Sequence, residues 1–113
     1  MSKRIAVVIS EDPFLTARPV EALRVALGLR AGDHETTVFL LGLASRLLMK
    51  DTEEILGVDV LEKYLPSFKH LSIPFIIEPG VDINNWSDSF SITIRTADEI
   101  RQLIRTMDRS LVF

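Results

Sequence analysis

The apolar run Ile5 to Ile9 ends in an acidic turn, Ser10-Glu11-Asp12-Pro13-Phe14. In a parallel sheet, ligands sit beyond the carboxyl ends of strands, so this turn occupies a position where chemistry is often done. A phosphate cradle there would use glycines, which let backbone amides approach the anion. Two carboxylates would repel a phosphate instead, which disfavours dinucleotide or P-loop binding. The turn therefore reads first as a plain strand-to-helix connection. Its functional alternative is a polar rim, with Ser10, Glu11 and Asp12 joined by Gly42 and Leu43 after the next strand and by Glu78 after a third.

Other reactive side chains are scattered. His34 and His70 stand alone in polar settings, without the spacing of a two-histidine metal site. Asp82, Asn84, Trp86 and Asp88 alternate as in a calcium loop. Ser87 replaces the glycine needed at the sixth position, and Thr93 replaces the closing glutamate. Asp51, Glu53 and Glu54 form a carboxylate cluster with no apolar pocket to shift a pKa, so they read as solvated surface. Arg101 and Arg105 lie one turn apart on a helix, with Arg109 beyond. Such a row is a wet face or a surface for a partner's acids. Trp86, in the polar loop DINNWSD, either anchors an interface or folds over the core. No nucleophile–base pair is visible. The expectation is no catalytic residue, no metal and no cofactor, with Trp86, Arg101 and Arg105 as candidate interface.

Composition narrows the class. The 113 residues are 47% hydrophobic and 26% charged, which fits one folded domain rather than a disordered chain. A formal net charge of −3 argues against a general nucleic-acid partner, which would require surplus Lys and Arg. There is no cysteine, so disulfides, thiolate metal sites and thiol nucleophiles are excluded for this chain. MSKR leads directly into a short apolar strand, and no apolar run approaches the ~20 residues that span a bilayer. A cytoplasmic location and no membrane partner are expected.

The elements that must position these residues follow from period and punctuation. Arg4–Ser10 reads as a central strand buried on both faces. A helix follows, capped by Thr16, tolerating Pro19 in its first turn, and striped by Val20, Leu23 and Leu27. Gly32 is placed to end it in a left-handed conformation. Thr37–Leu41 is a second strand, followed by the apolar segment Leu43–Met49. Asp59 is placed to cap a helix carrying Leu61, Tyr64, Leu65 and Phe68, with a kink or restart at Pro66. Ile73–Ile77 is a third strand, and alternation over Phe90–Arg95 gives a fourth with one exposed face. Thr96-Ala97-Asp98-Glu99 is a capping box, followed by Ile100, Leu103, Ile104 and Met107 at helical spacing. Ser110–Phe113 closes as a strand. Strands alternating with helices predict an α/β chain: a single three-layer αβα domain over residues 1–113, with a mainly parallel sheet of about five strands.

The opening segment IAVVISEDPFLTARPVEALRVALGLRAGDHETTVFLLGLA resembles that of the DsrE/DsrF-like family, small proteins of sulfur relay. LEKYLPSFKHLSIPFII resembles the family's helix and third strand, and TADEIRQLIRTMDRSLVF its closing helix and strand. The resemblance covers nearly the whole chain and implies a DsrE-like, flavodoxin-like arrangement. It also implies assembly, as homo-oligomers (trimers or hexamers) or hetero-oligomers with related subunits. Sulfur-carrying members hold persulfide on a cysteine near the end of the third-strand region, which here reads FIIEPG, Phe75–Gly80. Persulfide transfer by this chain is thereby excluded. It looks like the family's subunits that lack the carrier cysteine, non-catalytic and accessory to sulfur relay, or like a relative put to another use. The alternative from another class is a small-ligand-binding α/β domain using the pocket at the strand ends.

Overall fold

Strands with continuous apolar character must be covered on both faces, and the chain meets that demand with a single sheet. The computed structural model describes residues 3–48, 54–80 and 90–113. The strands are β1 (Arg4–Ile9), β2 (Glu35–Leu40), β3 (Phe75–Ile77), β4 (Ile92–Ile94) and β5 (Arg109–Val112). They lie in the order β4-β3-β2-β1-β5, every neighbouring pair parallel. The helices are α1 (Arg18–Ala31), α2 (Val58–Leu71) and α3 (Ala97–Arg105), with a 3-10 helix over Gly42–Leu48. The layering is that of flavodoxin-type domains, whose own sheets run in the order 2-1-3-4-5.

Two-residue periodicity sorts the central strands between two core layers. Val7 and Ile9 of β1, Val38 and Leu40 of β2, and Phe75 and Ile77 of β3 enter one layer. There they meet Val20, Leu23 and Ala26 of α1 and Leu61 and Phe68 of α2. Ala6, Val8 and Phe39 enter the other, beneath Ile100 of α3, with Leu103, Ile104 and Met107 packed at its margin. Each large side chain so buried contributes about 1.5–3 kcal/mol. Phe75 also sits between Phe68 and Phe90, with ring centroids 5.3 and 5.7 Å away.

Several local expectations are corrected. Thr16 does not cap α1; Ala17 holds the cap position without a side-chain bond, and Thr16 Oγ1 accepts from the Arg18 amide just outside it. Gly32 keeps φ at −83° because its amide still bonds to Gly28 and Leu29. The left-handed step falls instead on Asp33 (φ 66°), a residue type whose short polar side chain tolerates it. Gly57, left-handed at φ 84°, starts α2 in place of Asp59, which lies in the first turn. Pro66 does not restart α2, which is helical from Val58 to Leu71. Glu62, whose carbonyl loses its donor there, is exposed along with Pro66, so water can take the missing amide's place. β3 starts at Phe75, later than Ile73, because the Ile73 amide closes α2 by bonding to Phe68 and Pro74 has no amide to offer.

The capping box forms as expected. The Glu99 amide donates to Thr96 Oγ1 at 3.2 Å, and the Thr96 amide donates to Glu99 Oε1 at 3.0 Å. Accepting from Thr96, and secondarily the nearby Arg95 charge, holds the Glu99 carboxyl below its ordinary value of 4.5. A carboxylate with a depressed folded-state pKa adds stability above its unfolded value and loses it as pH falls through the folded one. Thr96→Ala is expected to cost about 1 kcal/mol in urea denaturation at neutral pH. Glu99→Gln should flatten the loss of stability on acidification below about pH 4.5. An unchanged midpoint for Thr96→Ala would show that the box does not hold α3.

Candidate functional site

The register places the ends of three strands level: Ile9 pairs with Leu40, and Leu40 with Ile77. Ser10 and Glu78, next after their strands, and Gly42, two residues after Leu40, therefore emerge at one end of the sheet. They do not form one constellation. Ser10 turns toward β5, where its amide and hydroxyl both donate to the Phe113 carbonyl at 3.1 and 3.4 Å. Glu78 reaches the other way and accepts from the Gly42 amide at 2.8 Å. Gly42 itself needs its left-handed φ of 54° to begin the 3-10 helix, whose first turn is tied by Ser45 Oγ donating to the Gly42 carbonyl at 3.1 Å. Leu43 is half exposed at 51%, facing outward from the same end.

Asp12 does more than turn the chain. Its carboxylate accepts from the Phe14 amide at 3.0 Å and from Arg46 Nη1 at 3.0 and 3.2 Å. Its carbonyl accepts from the amides of Leu15 and Thr16. The Arg46 guanidinium lies over the Phe14 ring, 4.4 Å from its centroid. The Asp12 side chain is 12% exposed and that of Arg46 33%, so this pair is better shielded than a surface ion pair. Pro13 is buried, and its carbonyl accepts from the Leu56 amide at 2.9 Å. The acidic turn is thus clamped to the 3-10 helix on one side and to the segment leading into α2 on the other. Among the described residues Glu11 makes no side-chain hydrogen bond.

Arg46 is the residue that sequence reasoning missed. Its signal was available: it is the single charge in the apolar segment Leu43–Met49. A guanidinium in such a setting requires a carboxylate, and Asp12 supplies it from 34 positions away. The interface candidates Arg101 and Arg105 are both exposed on α3, and Arg101 is ion-paired with Asp98 one turn earlier. Trp86, Asp51, Glu53 and the Asp82–Asp88 stretch lie outside the described residues. Glu54 is exposed. His34 accepts from the Lys3 amide through Nδ1, and His70 is exposed in the last turn of α2. Among the described residues no three His, Cys, Asp or Glu side chains come together to hold a metal ion.

Clefts among the described residues lie elsewhere than at the ends of β1, β2 and β3. One of about 360 Å³ sits at the amino end of the sheet, beside His34, Thr36 and Ser72. Another of about 280 Å³ runs along α3 between Arg95, Glu99 and Thr106.

The parallel five-stranded α/β domain has a DsrE-like fold. In structure the chain is similar to the YchN protein from E. coli, with a TM-score of 0.76 over 98% of this chain and 99% of that one. The two share 18% sequence identity, so the likeness is one of fold. No family model matches the sequence, and no curated protein is significantly similar to it. Among the described residues no helix is long and apolar enough to cross a membrane.

Removing the clamp tests its weight. Asp12→Ala should lower stability by about 2 kcal/mol, because it deletes charge-assisted bonds and leaves Arg46 unpaired. Glu11→Gln should change it by no more than about 0.5 kcal/mol. Equal denaturation midpoints for the two variants would show that the Asp12–Arg46 pair is idle.

Proposed function

We propose that this chain is a non-catalytic DsrE/DsrF-like protein, an oligomer-forming subunit or accessory factor related to sulfur relay that cannot itself carry persulfide. The observation that supports it is a DsrE-like fold along nearly the whole chain in a sequence without cysteine. A persulfide is a sulfur bound to a thiolate sulfur, and no other side chain forms it. At the end of β3 the chain carries Glu78, whose carboxylate is engaged with the Gly42 amide and serves as a brace rather than a nucleophile.

Assembly is supported by apolar side chains left in solvent. Leu15 is 79% exposed, Leu43 51% and Leu56 44%, all at the carboxyl end of the sheet, where the Pro13–Leu56 hydrogen bond holds two of their segments side by side. A surface of this kind favours burial against another subunit. The partner in this reading is a second copy or a related subunit, not nucleic acid or membrane, and the setting is cytoplasmic.

The second reading, a small-ligand pocket among Ser10, Glu11, Asp12, Gly42, Leu43 and Glu78, draws on the convergence of three strand ends there. It is the weaker one. The carboxylates of Asp12 and Glu78 and the hydroxyl of Ser10 are already engaged within the protein.

Light scattering at micromolar concentration is expected to give a mass several times the 12.7 kDa of one chain. A species at the mass of one chain would contradict the oligomeric reading.

A further inference from the structure

The sheet ends at β5, and among the described residues no strand lies beyond it. All four residues of β5 are exposed, with Val112 at 68% and Leu111 at 38%. The opposite edge, β4, has three residues, two of them half-buried. An open edge strand carries unpaired amides and carbonyls, and proteins normally blunt it with proline, lysine, a bulge or a covering segment. β5 has no proline or lysine, its one charge is Arg109 at its start, and its pairing with β1 runs without a bulge from Arg109 to Val112.

Hydrogen bonds fix which main-chain groups face outward. The Phe113 amide donates to the Val8 carbonyl at 2.8 Å, and the Phe113 carbonyl accepts from the Ser10 amide at 3.1 Å. Both main-chain groups of Phe113 therefore face β1. Because successive residues of a strand direct these groups to opposite edges, Leu111 also faces β1, while Ser110 and Val112 face away. The side chains extend the two core layers to this open edge. Leu111 pairs with Val7, which lies in the α1–α2 layer, and Val112 with Val8, which lies in the α3 layer.

We propose that β5 is a self-association edge, where the β5 strands of two copies pair antiparallel about a two-fold axis passing Leu111. This rests on the reading that the chain assembles, and names the contact. Among the described residues, one register pairs both outward-facing residues. Ser110 of each copy faces Val112 of the other, and the two residues exchange both amide–carbonyl bonds, giving two such pairs. Centring the axis on Ser110 would set Asp108 opposite Val112, but the Asp108 amide is already bonded to the Arg4 carbonyl at 2.8 Å. Centring it on Val112 would make one such pair among the described residues, Val112 with Val112, in place of two. With the axis at Leu111, the two Leu111 side chains meet in the close, non-hydrogen-bonded position, and each Arg109 faces Phe113 rather than another cation. The contact is isologous, so it closes on itself and joins two five-stranded sheets into ten strands.

The absence of native cysteine makes a direct test possible. Leu111→Cys would set two thiols across the axis at a Cα separation of about 4.5 Å, within the range a disulfide spans. Val112→Cys would set its thiols on a diagonal about 8 Å apart, beyond that range, although this position is the more exposed. Mild oxidation at low protein concentration is expected to convert Leu111→Cys to covalent dimer and to leave Val112→Cys unlinked. Ser110→Pro, which removes only an outward-facing amide, is expected to halve the mass in solution. Linking of Val112→Cys as fast as Leu111→Cys would overturn the edge contact, as would an undiminished mass for Ser110→Pro. In either case a multimeric wild type would leave the oligomeric reading standing. A monomeric wild type would sink both.

Discussion

A parallel strand in the middle of a sheet satisfies its amides and carbonyls only if another parallel strand lies on each side, and its side chains only if helices cover both faces. β1 imposes both requirements at once. β2 meets it along six residue pairs from Arg4 to Ile9, and β5 along four on the other flank. To reach that second flank, the chain must return from β4 across the whole sheet, and α3 makes the crossing. The same return places Phe113 against Ser10, so one end of the opening strand is tied to the last strand of the sheet. Loss of β1 packing would dissolve both core layers together, since it supplies Val7 and Ile9 to one and Ala6 and Val8 to the other.

This constraint also decides what the strand ends can do. Loops at the carboxyl side of such a sheet are free to carry chemistry, yet here two of their carboxylates are held within the protein. Asp12 is committed to Arg46 and the Phe14 amide, and Glu78 to the Gly42 amide. Large apolar side chains stand in solvent at that end as well: Leu15, Leu43 and Leu56. The proposed assembly role draws on these braced acids and exposed leucines.

Much of this was legible in the sequence because the strongest signals are local. The buried runs at Ile5–Ile9 and Val38–Leu40, the Thr96–Glu99 box and the stripe on α3 all mark their elements without reference to distant residues. Cap positions were less legible. Thr16, Gly32 and Asp59 have the right chemistry, but Ala17, Asp33 and Gly57 hold the geometry, because tertiary packing sets where each helix must begin or end. Least legible was the Asp12–Arg46 pair, which joins residues 34 apart and has no periodic signature. The strand order likewise depends on the crossing of α3, which no local pattern encodes.

The central claim is that the chain takes part in assembly without carrying sulfur. Native mass spectrometry before and after exposure to a sulfane-sulfur donor tests it most directly. The account predicts a multimer whose subunits keep the mass of the unmodified sequence. Subunits that gain sulfur in a form that survives unfolding and is removed by a thiol reductant would contradict it.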